Sequence, residues 1–428
     1  MSLNQTNLIK PITIGDVELN HRVVHAPTSR ARSVDFTPTD ILLEYYKSRS
    51  RYPGSLIVSE SIIVHPSSGL TPFKSGLWED KQCKAWKRIA DEIHNNRSFV
   101  SAQIFAPGRF ANLDLLKEHN IPLVGPSKIY HSEAQEQKAK DLGIELQELT
   151  VDEIHQIQND FVETAVNALT KAGFDFVELH GTSGFLIEQF LSPLSNQRKD
   201  EYGGSVENRT RFVTEILEKL FNHAKIGSKK VGIRITPWST HNGMNYPNND
   251  FSEPVKFVEY ILKFLEDQKK QGNEIAYVSI VEPRVSGSVD ADPAGHSNED
   301  LLKLFSGKVI RTGGYATNYK NSEQVASNKQ YLEVDENGNL RHYTTLIKDV
   351  NQDDRTLIGF SRPFTSNPDF TKRLFENLVL DSYNRKFFYT HTVEGYLTFT
   401  DYVDDEINSN LITNLPESEL NRTGTPLA

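Results

Sequence analysis

The feature that most constrains this chain is an alternation of short apolar, β-branched runs with amphipathic helical stretches. The runs fall at 21–25 (HRVVH), 56–61 (LIVSES), 99–105 (FVSAQIF), 174–180 (FDFVELH), 230–236 (KVGIRIT), 276–281 (AYVSIV), 308–312 (KVIRT) and 356–360 (TLIGF). Near-continuous apolar runs of this length read as strands buried on both faces, the habit of a parallel sheet. Helices are expected near 40–50, 80–96, 151–172, 206–224, 253–271, 297–305 and 367–376. Thr150-Val151-Asp152-Glu153 has the capping-box pattern that opens one of them. Eight strand–helix units are the arithmetic of a (β/α)8 barrel. An open doubly wound sheet is the rival, but no G-x-G-x-x-G follows the first strand, where a dinucleotide fold needs it. The fold class is read as α/β, a (β/α)8 barrel.

Residues 12–19, ITIGDVEL, read as a hairpin turning on Gly15-Asp16 and plugging the N-terminal mouth. Segments 106–149, after the third strand, and 317–354, after the seventh, exceed ordinary connections and are expected over the catalytic mouth. Within the second, 331–334 and 340–346 flank DENGN, a hairpin pattern. The barrel is expected to occupy 1–404 as a single domain, and 405–428, rich in Asn, Glu and Ser, to form a solvated end.

Composition narrows the function classes. With 47 Lys+Arg against 57 Asp+Glu, the formal charge of -10 argues against a nucleic-acid partner, which calls for a basic face. One cysteine, Cys83, rules out an intramolecular disulfide and argues against a thiolate metal site. No stretch approaches about 18 uninterrupted apolar residues, and the leader MSLNQTNLIK lacks an apolar core. No membrane partner is expected, and the cytoplasm is the expected location.

In a barrel, chemistry sits where the strands end. The fourth strand ends in HGTSGF, so His180 and Ser183 are three apart across a Gly-rich turn and both can aim a donor into the mouth. A satisfied structural imidazole is the bland alternative for His180. The polar run 196–209 reads as loop ties. Arg234, on the fifth strand, needs a buried anionic partner. Trp78, Trp86 and Cys83 read as packing on a helix, and His25 has no sequence-level account. The aromatic stretch 387–402 reads as a dimer contact or a barrel cap.

The run HGTSGFLIEQFLSPLSNQRKDEYGGSVENRTRF, 180–212, resembles the long signature of the Old Yellow Enzyme family of flavin-dependent ene-reductases. The usual form is H-x-x-[NH]-G-Y-L-x-x-Q-F-L-x-P-x-x-N-x-R-x-D-x-Y-G-G-S-x-E-N-R. The similarity runs from Leu8 through Tyr389. It implies non-covalent FMN, reduced by NADPH or NADH, and hydride transfer to the β-carbon of an activated alkene, an α,β-unsaturated carbonyl or nitro compound. Phenols are implied as alternative ligands, and a monomer or homodimer as the assembly.

By this resemblance Gln103 meets the flavin pyrimidine edge, where an amide offers both donor and acceptor. Arg234 stands beside N1, where a permanent cation favours the anionic reduced ring. The backbone of Ala26, Pro27 and Thr28 touches the ring; Ser29 replaces a threonine that bonds O4, and Ser61 is counted with it. Gly313, Gly314, Ser361 and Arg362 take the phosphate through backbone amides and paired guanidinium donors.

Two departures bear on chemistry, and a third, at Phe105, on pocket shape alone. The substrate-binding His180 has Ser183 where the family has Asn or His, and a hydroxyl is shorter than a carboxamide. The tyrosine acid is Phe185, which has no proton to give. Phe105 replaces a tryptophan of the substrate wall, with Phe388 and Tyr389 edging the entrance. Three outcomes follow: alkene reduction protonated by water or another acid, net alkene isomerisation, or flavin and phenol binding with little turnover. A barrel without cofactor is the reading from a different class.

Overall fold

Eight parallel strands close on themselves in the computed structural model, which describes residues 3–316, 343–378, 380–402 and 415–427. They are β1 (Val23–His25), β2 (Leu56–Val58), β3 (Phe99–Phe105), β4 (Phe176–Gly181), β5 (Val231–Ile235), β6 (Tyr277–Val281), β7 (Val309–Thr312) and β8 (Thr356–Phe360). Each pairs with its successor, and Ile358 of β8 lies beside Val23 of β1, so the barrel has no free edge. The outer ring is α1 (Asp40–Arg49), α2 (Asp80–Asn95), α3 (Val151–Thr170), α4 (Val206–Asn222), α5 (Ser252–Lys270), α6 (Glu299–Leu302), α7 (Thr344–Asn351) and α8 (Phe370–Glu376). The chain is therefore the (β/α)8 barrel its periodicity predicts.

Local chemistry explains these elements. Along α2, Cys83, Trp86, Ile89, Ala90 and Ile93 recur at helical spacing and are all buried. At the start of α3, the Glu153 amide donates to Thr150 Oγ1 and the Thr150 amide donates to the Glu153 carboxylate, at 3.3 and 2.8 Å. The hairpin Ile12–Ile14/Val17–Leu19 packs Ile12, Ile14 and Leu19 against Leu56, Phe176, Tyr277 and Leu357, forming the apolar floor. Gly232 makes room there, since a Cβ on it would lie 2.5 Å from the Tyr277 ring. The ring thus crosses the barrel, and Tyr277 Oη meets Ser101 Oγ at 2.8 Å. Above this floor the interior turns polar.

Several expectations are corrected or completed. The hairpin expected over 331–346 does not hold at 344–346, which belong to α7: Leu346 and Val350, four apart, are both fully buried on one helical face. Residues 317–342 lie outside the described residues, as do 403–414. The end of the chain is not solvated throughout: Thr423 bridges Thr392, Pro426 bridges Thr39, and Leu427 is buried in the core. Trp78 precedes α2 and packs on Phe36 at 5.6 Å. His25 sits among Tyr45, Tyr46 and Phe364, and neither ring nitrogen is hydrogen-bonded among the described residues. Burial pushes its pKa down to about 3, so the ring is neutral at physiological pH. The 387–402 stretch lies against the barrel: Tyr396 stacks on Tyr45 at 4.5 Å, and Arg30 Nε donates to the Phe388 carbonyl at 3.2 Å. Among the described residues no helix is long and apolar enough to cross a membrane.

Candidate active site

Strands β3, β4, β5 and β6 place four polar side chains, Gln103, Glu178, Arg234 and Ser279, on the inner face of the barrel. Gln103 Nε2 donates to Glu178 Oε1 at 2.7 Å, and Arg234 Nη1 donates to Ser279 Oγ at 3.0 Å. Glu178 was not singled out in the sequence. Its signal was a lone acid two residues before His180 in an apolar strand, a spacing that puts both on one face. Glu178 is fully buried, and burial raises its carboxyl pKa even though the Arg234 charge and the Gln103 hydrogen bond act to lower it. The acidic group whose charge opposes the effect of burial on Arg234 is Glu178. Gln103 Oε1 takes no hydrogen bond among the described residues, leaving an acceptor for a ligand.

The turn after β4 is held in an unusual shape. Ser183 and Gly184 have φ of +65° and +73°, both left-handed. Asn242 Nδ2 donates to the Ser183 carbonyl at 2.7 Å, and the Gly184 amide donates to Glu188 at 2.5 Å. Glu188 is buried, and desolvation lifts its pKa to about 8. His180 Nδ1 has no hydrogen-bond partner among the described residues. Burial first, then the charges of Arg234 and Lys74, holds this imidazole well below its ordinary pKa and therefore neutral. Phe185 meets His180 edge-on at 4.9 Å and Phe105 at 4.6 Å, so the two phenylalanines form one apolar wall.

All the residues expected from the sequence line one or other of two adjoining cavities, of about 330 and 120 Å³. The larger holds Ser29, Ser61, Gln103, Phe105, His180, Phe185 and Tyr389, and the smaller holds Ala26, Gly313 and Gly314. Pro27, Ser183, Arg234, Ser361 and Arg362 face both. Thr28 Oγ1 lies 2.7 Å from Ser361 Oγ and ties the ends of β1 and β8 together.

One expectation about donors changes. Arg362 is not free to offer both guanidinium edges to a ligand. Its Nη1 pairs with Asp290, and its Nη2 donates to the Val289 carbonyl at 3.2 Å. Asp290 belongs to a small hairpin, Val285–Ser286 with Val289–Asp290, which the sequence reading passed over and whose Gly287 lines both cavities.

The donor set suits FMN. An amide beside a buried acid, a guanidinium, an unpartnered imidazole nitrogen and a glycine pair at the far end match a polar ring joined to a phosphate. Sequence reasoning also missed His241 and Asn242, which line the larger cavity from the loop after β5, and Lys74, which enters it from the segment after β2. That segment is pinned by Ile63, whose amide donates to the Ser75 carbonyl at 2.9 Å.

Comparison with known proteins agrees with this geometry. A family model described as NADH:flavin oxidoreductase / NADH oxidase matches residues 7–333. A "Probable NADPH dehydrogenase" of Candida albicans is 39% identical over 403 residues, covering 93% of this chain and 91% of that protein. "Enoate reductase 1" of Kluyveromyces lactis is 34% identical over 410 residues, covering 94% and 95%. The crystal structure of Old Yellow Enzyme from a Pichia species superposes with a TM-score of 0.84 at 38% identity, covering 100% of both chains. The chain belongs to the NADH:flavin oxidoreductase / NADH oxidase family and is an oxidoreductase of the Old Yellow Enzyme type.

Proposed function

We propose that the protein is an ene-reductase for α,β-unsaturated carbonyl or nitro compounds, with the cavity between the ends of β3, β4 and β5 as its active site. FMN, held there, would supply the two-electron redox chemistry that links NADPH or NADH to the β-carbon of the alkene. Gln103 and Arg234 hold the polar edge of the ring, with the Ala26–Ser29 turn and Ser61 against it. Gly313, Gly314 and Ser361 hold the phosphate, and Arg362 joins them while shared with Asp290.

His180 and Ser183 bind the oxygen that activates the alkene. A neutral imidazole donates one hydrogen bond to that oxygen and strengthens it as negative charge develops. Ser183 adds a hydroxyl of shorter reach, which a bridging water extends. Phe185 and Phe105 exclude water from one side. Since Phe185 cannot protonate the α-carbon, that proton comes from water or another acid. The observation that carries this reading is the convergence of Gln103, Arg234, His180 and Ser183 on one cavity of about 330 Å³, within the roughly 300–1,000 Å³ of ligand sites.

The test is anaerobic reduction of the purified yellow protein with NADPH, followed by an α,β-unsaturated ketone, reading flavin reoxidation and product together. Saturated ketone with oxidised flavin is expected. A rearranged alkene with the flavin still reduced would mean isomerisation, the second reading, which the acid-free wall of Phe185 favours. No change in either would leave a flavin- and phenol-binding protein.

A further inference from the structure

Lys74 is buried, 8% exposed, and is the only lysine so buried among the described residues. Its ammonium donates to Ser61 Oγ at 2.9 Å and to Ser29 Oγ. It forms no ion pair with a carboxylate among the described residues. Burial lowers its pKa, and the charge of Glu60 only partly opposes this. A charged ammonium held by two hydroxyls and no anion is expensive to bury, so packing alone gives no reason for it. Its position does: Lys74 lines the cavity that Gln103, Arg234 and His180 also line.

The hydrogen-bond inventory points the same way. An ammonium has three donors, and two are spent on Ser29 and Ser61, so the third is left for the cavity. Ser29 Oγ accepts from Lys74 and lies 3.5 Å from Ser61 Oγ, so its hydroxyl stands beside the ammonium at the same cavity. Cation and hydroxyl together form a site for an electron-rich oxygen, on loop segments separate from the β5 strand that carries Arg234. The titratable groups that face Lys74 are Glu60, which accepts the Arg30 amide at 3.0 Å and whose charge acts on the ammonium, and His180, which is neutral.

We propose that Lys74, acting with Ser29, is a positioning cation for the cofactor, which sets positive charge against the carbonyl edge of the FMN ring and favours its reduced form over its oxidised form. The proposal rests on the assignment of this cavity to FMN. It sets two cations on separate elements, Arg234 and Lys74, against the ring, where the sequence reading had Arg234 alone.

The test is the midpoint potential of bound FMN, measured by equilibrium titration against reference dyes for wild type, Lys74→Met, Lys74→Gln and Lys74→Arg. Lys74→Met is expected to weaken reduced FMN about tenfold relative to oxidised FMN, a midpoint about 30 mV more negative for a two-electron couple. Lys74→Arg, which keeps the charge, is expected to stay near wild type. Lys74→Gln, which keeps hydrogen bonding to the serines, guards against a Met variant that fails to fold and is expected to shift the same way. A wild-type midpoint in the neutral variants, or equal loss of affinity for both flavin forms, would overturn the proposal and reduce Lys74 to a loop tie. Wild-type protein that takes up no FMN would overturn the cavity assignment as well, so the two failures are distinguishable.

Discussion

Gln103 and Glu178, on adjacent strands of the barrel, are joined by a 2.7 Å hydrogen bond from the amide to a fully buried carboxyl group. That bond fixes which way the amide faces, and the other carboxylate oxygen has no partner. Glu178 therefore positions Gln103 and balances Arg234 without needing to touch a ligand. Glu178→Leu should weaken FMN binding about tenfold, in line with the roughly 1.5–3 kcal/mol of a hydrogen bond to a charged group. Glu178→Gln, which keeps an acceptor, should lose less. Titration of apoprotein by flavin fluorescence quenching reads both; unchanged affinity in the Leu variant would mean the amide is held by something else.

Phe185, packed edge-on against His180 and Phe105, offers no proton where the family signature has a tyrosine. Phe185→Tyr should speed reoxidation of reduced flavin by an enone about tenfold or more, since a positioned acid typically contributes 10²–10⁴-fold. Stopped-flow absorbance measures it. No gain would show that another group already delivers the proton.

Ser183 has φ +65°, a region that Asn enters more readily than Ser. Ser183→Asn should therefore leave thermal stability equal or slightly raised while tightening phenol binding, because the longer amide reaches the oxygen held by His180. The charge-transfer band on phenol titration and a melting curve check the two halves. A clear fall in melting temperature would contradict the backbone argument.

Glu188 supplies the pH dependence. Its pKa rises from 4.5 to about 8 on folding because burial disfavours the carboxylate. Between those values the folded protein keeps a proton that the unfolded chain has released, so stability falls as pH rises through that window. Glu188→Gln should flatten this fall, with the variant gaining on wild type from about pH 5 to pH 8. Urea midpoints across that range would show it; parallel curves would mean the group is ionised in the folded protein.

Much of this was legible in the sequence, and for identifiable reasons. The β-branched runs mark strands buried on both faces, and the Thr150–Glu153 capping box marks where α3 begins. His180 stood out because a polar residue at the end of an apolar strand has few structural uses, and Gln103 and Arg234 because they match the family resemblance. Glu178 was legible in principle but masked by the more familiar histidine beside it. Lys74 was not legible: it lies in a loop, and its burial comes from the bridge that pins Ser75 and Gly76 to Ile63. Asp290 escaped for a similar reason, because only the small hairpin brings it to Arg362. Residues 344–346 were misread because the Leu346/Val350 spacing of a helix was weighed less than a nearby turn pattern.

The most direct measurement is a crystal structure of the protein with FMN. The account predicts the ring in the cavity between β3, β4 and β5, with the Gln103 amide and the Arg234 guanidinium hydrogen-bonded to its polar edge and the phosphate at Gly313-Gly314. A ring bound elsewhere, or those two side chains turned away from it, would contradict the account.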